Sequence, residues 1–306
     1  MAGGCVVYRK SNDETAGVSW EQVSEVGFGD LRNEEINYIQ VFNNCLYAST
    51  VNYVTGFEVW KTDGTMGPDG KFAWTQVIKD GFGDTWCQSG LHMEPFGDYL
   101  YVGTAVPIGL VLKNQRPVGS RALDIIRIDK HDHAELVVGK YLPSDRPPGW
   151  PAFRIPLSKQ GAGFGNPGNV YAWHMGVYED WLVVGTFDMT GIIMSSIMEE
   201  ITPGAGVPVL GYLRDRTLDC MITMSGGGGD LWKTKDGIHW QPITLNGFGN
   251  WRNYGFRRVV PVDSMDALFI GTANPFTGAE GGGCEVWAGS DKSPREAPRL
   301  LRLFGR

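Results

Sequence analysis

GFGNPGNVYAWHMGVYEDWLVVGT, residues 163–186, is one of four similar blocks in this chain of 306 residues. Each block starts with a GFG motif, continues with two β-like runs and ends in Gly-Thr or Ser-Thr. The interval from the first glycine to the leucine near the end is the same in three copies, and the fourth copy has two additional residues. The other copies are residues 27–50, 81–104 and 247–272. Self-similarity of this kind predicts a repeat architecture.

Two further β-like runs follow each block, for example GFEVWKTDG (56–64) and AWTQVIKDG (73–81). Similar first runs start at residues 3, 122, 228 and 282. Each full repeat is therefore predicted to contain four short strands, and tandem four-stranded units are typical of a β-propeller. We predict an all-β chain forming a single β-propeller domain over residues 1–306, with four clear blades. A fifth blade stays open, because five second-half pairs accompany four first-half pairs, and a β-sandwich is the alternative fold.

Composition agrees with this fold class. The chain has 43 glycines, 12% aromatic and 42% hydrophobic residues, whereas average glycine usage is roughly 7%. Disorder and an all-α fold are excluded, because tight turns need glycine and strands favour aromatic residues. The net charge of -7 and the absence of long Lys/Arg runs argue against nucleic acid as a partner.

The sequence shows no signal peptide and no apolar stretch long enough for a membrane span. Its five cysteines form no C-x-x-C pair, and no N-x-S/T sequon occurs. These features favour a cytoplasmic location with reduced thiols, and one disulfide stays open. No membrane partner is expected, and the oligomeric state is not predicted.

Three long insertions are predicted to emerge on one rim of the propeller. They are residues 105–121, 142–161 and 187–227, with a short helix expected at Ser195–Ile201. In an up-and-down blade, the connections that lead into the first strand and out of the second strand lie on the same side. Loops longer than about 12–15 residues are usually functional. We therefore predict a lidded pocket on this face.

Aligned blocks place polar and aromatic residues near the mouth of the channel. One column contains Tyr38, His92, His174 and Arg258, and the column before it contains Asn37, Leu91, Trp173 and Arg257. The next column, Ile39, Met93, Met175 and Val259, is apolar and is predicted to close the channel below. The candidate catalytic residues are His174, His92, Arg257, Tyr254 and Arg252; the candidate substrate contacts are Trp86, Trp173, Tyr171, Tyr38, Asp188, Asn274 and Phe276.

These residue types suit a small, apolar, partly oxygenated organic molecule. Arginine and protonated histidine can stabilise an oxyanion, and tyrosine or histidine can donate a proton. For each histidine alone, a hydrogen-bonded structural role between blades is equally open. A metal site at His92 and His174 would need Asp188 as a third ligand, and no spacing motif supports one. We therefore expect neither a metal nor a cofactor.

Two segments, NVYAWHMGVYEDWLVVGTFDMTG (169–191) and residues 247–287, resemble propeller enzymes that form bonds in natural products. The similar families are the fungal hetero-Diels-Alderases of tropolonic sesquiterpene pathways and the propeller domain of the enzyme that alkylates resorcinol rings in cylindrocyclophane biosynthesis. The resemblance implies a cofactor-independent cyclase. Its reaction would be dehydration of an alcohol to a quinone methide, followed by stereocontrolled addition to an alkene such as a humulene.

The alternative is a carbohydrate-binding or sialidase-like, glycoside-hydrolysing propeller. Residues 234–240, TKDGIHW, resemble the Asp-box hairpin of sialidase-type propellers, although an Asx-turn needs only its own backbone. A sialidase-like site would need three convergent arginines, for which Arg32, Arg252 and Arg257 are available. A hydrolytic carboxylate pair would come from Glu34, Glu35, Glu94 and Asp188. The unequal columns favour one asymmetric site over one site per blade.

Overall fold

The computed structural model describes residues 3–13, 17–106, 122–143, 153–201, 217, 220–222, 224, 226–276 and 281–290. Its regular structure is mostly antiparallel β-sheet, so the predicted all-β class is confirmed. A helix spans Thr190–Ile201 and therefore starts before the predicted Ser195. Within these ranges, no helix combines the length and the apolarity that a membrane crossing requires.

Each sequence block begins a unit of antiparallel strands, and we name these units A to D in chain order. Strands pair with their neighbours along the chain, four each in units A to C and three in the described part of unit D. Unit A comprises β3 (Glu35–Phe42), β4 (Cys45–Val51), β5 (Val59–Thr62) and β6 (Thr75–Ile78), and unit B comprises β7 (Ser89–Phe96), β8 (Tyr99–Ala105), β9 (Ile125–Asp129) and β10 (Ala134–Val138). Unit C comprises β13 (Asn169–Tyr178), β14 (Trp181–Asp188), β15 (Leu231–Thr234) and β16 (Gln241–Thr244), and unit D comprises β17 (Gly255–Val262), β18 (Ala267–Ala273) and β19 (Val286–Gly289).

In the described part of the chain, two further strand pairs lie outside these units. At the N-terminus, β1 (Tyr8–Asp13) pairs with β2 (Gly17–Gln22). Between units B and C, β11 (Leu142–Pro143) pairs with β12 (Phe153–Arg154). The strand pairing of successive units meets at one residue pair each: Val51 with Ser89, Ala105 with Tyr171, and Phe187 with Gly255. The end of the second strand in units A, B and C therefore lies beside the start of the next first strand.

The hydrophobic core lies between successive units. Phe57 and Met93 are buried between A and B, Ile125 and Met175 between B and C, and Leu231 and Val259 between C and D. The predicted apolar closure of the channel is therefore wrong for Met93, Met175 and Val259. The physical reason is the two-residue period of a strand, which directs these side chains towards the preceding unit.

Each GFG motif forms a tight turn in which the phenylalanine has positive φ. The φ angles of Phe28, Phe82, Phe164 and Phe248 are 54°, 55°, 59° and 59°. This region is unfavourable for residues with a Cβ atom. Ring packing offsets the strain, since Phe28 stacks on Trp60 at 5.2 Å and Phe164 on Trp232 at 4.6 Å.

A buried asparagine connects the GFG turn of a unit to the acidic residue before its third strand. In unit C, Asn169 donates to the carbonyl oxygen of Gly163 and to Asp230, over 3.0 and 2.6 Å. Thr186 donates to the Asn169 side-chain oxygen over 2.7 Å. Equivalent asparagine–glutamate bonds join Asn33 to Glu58 in unit A and Asn253 to Glu285 in unit D.

Unit B has Cys87 at the asparagine position. The Cys87 thiol donates to Asp124 over 3.2 Å, and Arg154 donates to the same carboxylate over 2.5 Å. The Arg154 side chain is fully buried and also lies 3.8 Å from Asp84. Arg154 therefore pairs with the buried carboxylate of Asp124 in unit B. In the other units, an asparagine amide donates to the equivalent carboxylate. Arg154 belongs to the predicted insertion 142–161. Residues 144–152 of this insertion lie outside the described residues, as do residues 107–121 and 202–216 of the other two insertions.

Candidate functional site

Each first strand carries a β-bulge at the same position of the repeat. Its pairing with the second strand shifts at Asn37, Leu91, Trp173 and Arg257 in units A to D. A bulge bends the strand and changes the direction of the neighbouring side chains. The residues that follow the bulges are Tyr38, His92, His174 and Arg258, and we call these four residues the central row.

The central row brings four first strands together. The ring of His92 lies 4.2 Å from that of Tyr38 and 4.2 Å from that of His174, measured between centroids. The Arg258 charge acts on Tyr38 and on both histidines. The structure thus unites His92, His174 and Tyr38, which were predicted as site residues, with Arg258, which was not selected. The alignment column was the signal that could have identified Arg258.

His92 is uncharged at neutral pH. The residue is only 2% exposed, and neither ring nitrogen has a hydrogen-bond partner among the described residues. Burial, followed by the charges of His174 and Arg258, lowers its pKa to about 3. A buried polar ring without a hydrogen-bond partner destabilises the folded protein, and a ligand or water that supplies a partner removes this cost. His92 therefore provides a neutral hydrogen-bonding group in a desolvated place.

His174 is also uncharged, and one contact indicates its tautomer. Burial, followed by the Arg258 charge, lowers its pKa to about 4. The backbone N–H of Val259 points at Nδ1 of His174 over 3.4 Å. A ring that accepts this bond carries its proton on Nε2. In this tautomer His174 can donate through Nε2 at neutral pH, and a hydrogen bond with the Met175 backbone opposes the lowering of its pKa.

Glu94 adds a carboxyl group beside the central row. It lies two residues beyond His92 on β7, on the same side of the strand. Desolvation raises its pKa to about 7. Burial raises the pKa of Tyr38, and the Glu94 charge adds to this effect. Glu94 can therefore donate or accept a proton near neutral pH.

Aromatic side chains from units C and D form a cluster around Phe187. Its ring lies 4.9 Å from Tyr171, 5.1 Å from Trp173 and 4.9 Å from Tyr254. The Arg257 guanidinium lies 5.4 Å from the Trp173 ring. We call Tyr171, Trp173, Phe187 and Tyr254 the aromatic cluster. Three of its members were predicted, and the sequence analysis missed Phe187 because its repeat position is occupied by smaller, non-aromatic residues elsewhere.

Arg252 and Phe276 belong to a different cluster. Trp251 lies 5.2 Å from the Phe276 ring, and the Arg252 guanidinium lies 4.6 Å from the Trp251 ring. Trp251 packs against the start of the helix Thr190–Ile201, where a Cβ on Gly191 would lie 2.6 Å from its ring. The two predicted residues therefore contact a group beside the helix rather than the central row.

The remaining predicted residues brace loops. Asp188 is fully buried and accepts hydrogen bonds from the Thr190 backbone and from Asn166. Asn274 donates to Asn253 and accepts from the Phe276 backbone. The backbone of Trp86 donates to Asp84 over 3.1 Å. The Asp-box prediction is confirmed as a hairpin brace, because Asp236 accepts from the backbones of Ile238 and His239.

We expect the central row to bind cations weakly. Among the residues that the structure describes, no three His, Cys, Asp or Glu side chains are grouped so that they could hold a metal ion. The Arg258 charge opposes a cation beside both histidines, and the tautomer that accepts from Val259 leaves His174 Nε2 protonated. The row instead suits an oxygen atom that carries partial negative charge.

The lowered pKa values of His92 and His174 predict that the protein loses stability in acid. Their native pKa values, about 3 and about 4, lie below the ordinary value of 6.5. The unfolded chain therefore takes up these protons first, and stability falls as pH decreases from 6.5 towards 4. We expect His92→Leu to flatten this decrease by on the order of a few kcal/mol, since each pKa unit corresponds to about 1.4 kcal/mol.

Urea unfolding at several pH values measures this effect as the difference between His92→Leu and wild type. Taking the difference cancels Glu94, whose raised pKa acts in the opposite direction and costs stability as pH rises from 4.5 towards 7. His131→Leu, on the exposed β9–β10 turn, is the matched control. An acid decrease in His92→Leu equal to that of wild type would contradict the buried, neutral assignment.

No protein-family model, curated protein or solved structure matches this chain.

Proposed function

We propose that units A to D are blades of a propeller arranged around the central row. Support comes from the first strands β3, β7, β13 and β17, which are neighbours in this order. The central row also collects one side chain from the same repeat position of each unit. A propeller axis at this row would give the four unequal residues access to a single ligand.

We further propose that the chain is a cofactor-independent cyclase for small, largely apolar molecules that carry phenolic or alcoholic oxygens. The observation that carries this proposal is the contact of two uncharged imidazoles, His92 and His174, in one row with the Tyr38 phenol and the Arg258 guanidinium. Preorganised donors in a desolvated site stabilise an oxygen that gains negative charge during a reaction. The nearby aromatic cluster suits the apolar parts of such molecules.

The favoured reaction starts with dehydration of a 2-hydroxybenzyl alcohol to a quinone methide. The bond between the benzylic carbon and the hydroxyl breaks, the phenol loses its proton, and the hydroxyl leaves as water. Glu94 in its protonated form donates to the leaving hydroxyl, and the phenolic proton restores the Glu94 carboxyl. Arg258 and His174 Nε2 stabilise the phenolic oxygen as its charge develops.

The second step is a hetero-Diels-Alder addition to an alkene. The O=C–C=C unit of the quinone methide and the C=C bond of the alkene form one C–O and one C–C bond, with no proton transfer and no redox change. The protein contributes orientation, since holding two reactants together is worth several kcal/mol, about 7–11 in well-oriented cases. Trp173 and Tyr254 are proposed as the wall that fixes the face of addition.

The contacts of the candidate arginines give little support to the glycoside alternative. Arg32 is exposed and bound to Asp30 of its own loop at 2.7 Å. Arg252 packs on Trp251, and Arg257 packs on Trp173. The three arginines thus have separate partners rather than one shared anion.

The proposed activity is tested with 2-hydroxybenzyl alcohol and α-humulene. We expect the protein to accelerate formation of the adduct and to produce an excess of one stereoisomer, which chiral chromatography detects. In calorimetric titrations, phenolic ligands should saturate a single site and simple saccharides should not bind. Saturation by a saccharide at one site per unit, or a racemic adduct formed at the uncatalysed rate, would refute the proposal.

A further inference from the structure

The N-terminal hairpin β1–β2 occupies the place of the third and fourth strands of another unit. The Cys5 N–H donates to the carbonyl oxygen of Asn33 over 2.8 Å, and the carbonyl oxygen of Cys5 accepts from Gly27 over 2.6 Å. The same pair of bonds precedes the third strand in the other units, at Phe57 with Cys87 and Gly81, at Leu123 with Asn169 and Gly163, and at Gly229 with Asn253 and Gly247. β1 is therefore a third strand by its hydrogen bonding.

The inner edge of β1 differs from that of the other third strands. In units A, B and C the third strand pairs with the second strand of its own unit, as β5 does with β4, β9 with β8, and β15 with β14. Across the described residues, β1 is paired with β2 alone. An unpaired strand edge presents a row of backbone groups that can bind another strand.

The neighbouring face of β3 is apolar and open to solvent. Ile39 is 46% exposed and Val41 is 63% exposed, whereas the residues equivalent to Ile39, which are Met93, Met175 and Val259, are at most 1% exposed. The hairpin covers only the outer part of this face, where Cys5 and Val7 pack on Ala48. We call the inner edge of β1 together with Ile39 and Val41 the open face.

We propose that the open face binds a separate antiparallel β-hairpin of the same kind as the first two strands of units A to D. The three covered faces define the chemistry of this partner. It begins with a GFG turn that fits against the preceding unit, alternates apolar and polar residues, and pairs its second strand with β1. The apolar side of its second strand would cover Ile39 and Val41, as the core between units A and B covers Met93.

A hairpin bound there would extend the candidate site. Tyr38 of unit A and Arg258 of unit D occupy the same repeat position in the central row, and the Arg258 charge acts on Tyr38. The first strand of the bound hairpin would add a side chain between these two residues. This inference depends on hydrogen bonding and burial alone, and it stands whether or not the proposed cyclisation occurs.

The test uses a peptide of residues 27–55, which contain the GFG turn and first two strands of unit A. Added to the full chain, the peptide should slow amide hydrogen exchange in β1 and β3 and raise Tm by about 5 °C at saturation. A scrambled peptide should do neither. Val41→Asp in the full chain should abolish the effect of the wild-type peptide. Val54→Asp in the full chain, at an equally exposed position in the turn after β4, should preserve it.

Because isolated hairpins are marginally stable, a fused form provides the second arm. Residues 27–55 are placed directly before Gly4, since Gly4 corresponds to Gly56 in the repeat. The same protection of β1 and β3 should appear, with no dependence on protein concentration. Absence of protection in both forms would overturn the proposal. So would a concentration-dependent dimer that protects these strands without added peptide, since it would identify a second copy as the occupant.

Discussion

Replacing Arg154 with methionine is expected to lower the free energy of unfolding by about 3–5 kcal/mol, the usual cost of removing one partner from a buried ion pair. The Arg154 side chain is fully buried, and the carboxylates of Asp124 and Asp84 beside it are buried as well. Methionine preserves most of the side-chain volume, so the loss reports uncompensated charge rather than a cavity.

The repeat itself supplies the rescue for this variant. Units A, C and D meet the corresponding acidic residue with an asparagine, and unit B has Cys87 there. We therefore expect Cys87→Asn to restore most of the stability lost in Arg154→Met, because the new amide can donate to Asp124 and to the carbonyl oxygen of Gly81.

Chemical denaturation of the wild type, both single variants and the double variant measures the coupling. Arg9→Met is the control, since Arg9 and Glu21 are both nearly half exposed and their ion pair should be worth at most about 1 kcal/mol. A stable Arg154→Met variant, or a double variant no more stable than Arg154→Met, would contradict the compensation.

Replacing one member of the central row, as in His174→Phe or Arg258→Met, is expected to reduce turnover by about 10²–10³-fold. This is the usual effect of removing one oxyanion donor. The melting temperature should change little for Arg258→Met, because this residue is exposed at the row. Arg252→Met should retain activity, since its guanidinium packs on Trp251 outside the row. Initial rates with 2-hydroxybenzyl alcohol and humulene provide the measurement.

The pH profile distinguishes a chemical role from a structural one. If protonated Glu94 donates to the leaving hydroxyl, the rate should fall as pH rises through about 7, where its carboxyl ionises. Glu94→Gln should remove this pH dependence together with most of the activity. Unchanged turnover in His174→Phe and Arg258→Met, or an unaltered profile in Glu94→Gln, would show that the row is only packing between units.

Much of the fold could be predicted from the sequence because it is encoded locally and repeatedly. GFG turns that require positive φ, strand-length runs and constant spacing identify the units and their strand order without any long-range information. The same alignment placed His92 and His174 at equivalent positions. The error over Met93 and Met175 arose because a one-residue bulge and the alternation of strand faces decide direction, and neither is visible in a column of aligned letters.

The sequence by itself determined the repeating unit, the all-β class and the residue types that meet in the central row. Only the tertiary structure decided which of them contact one another, because pairs such as His92 with His174 or Arg154 with Asp124 are distant along the chain. Burial also became visible only there. Protonation states depend on the surrounding solvent and charge, and so neutral histidines and a protonatable Glu94 follow from the packed units and not from residue identity.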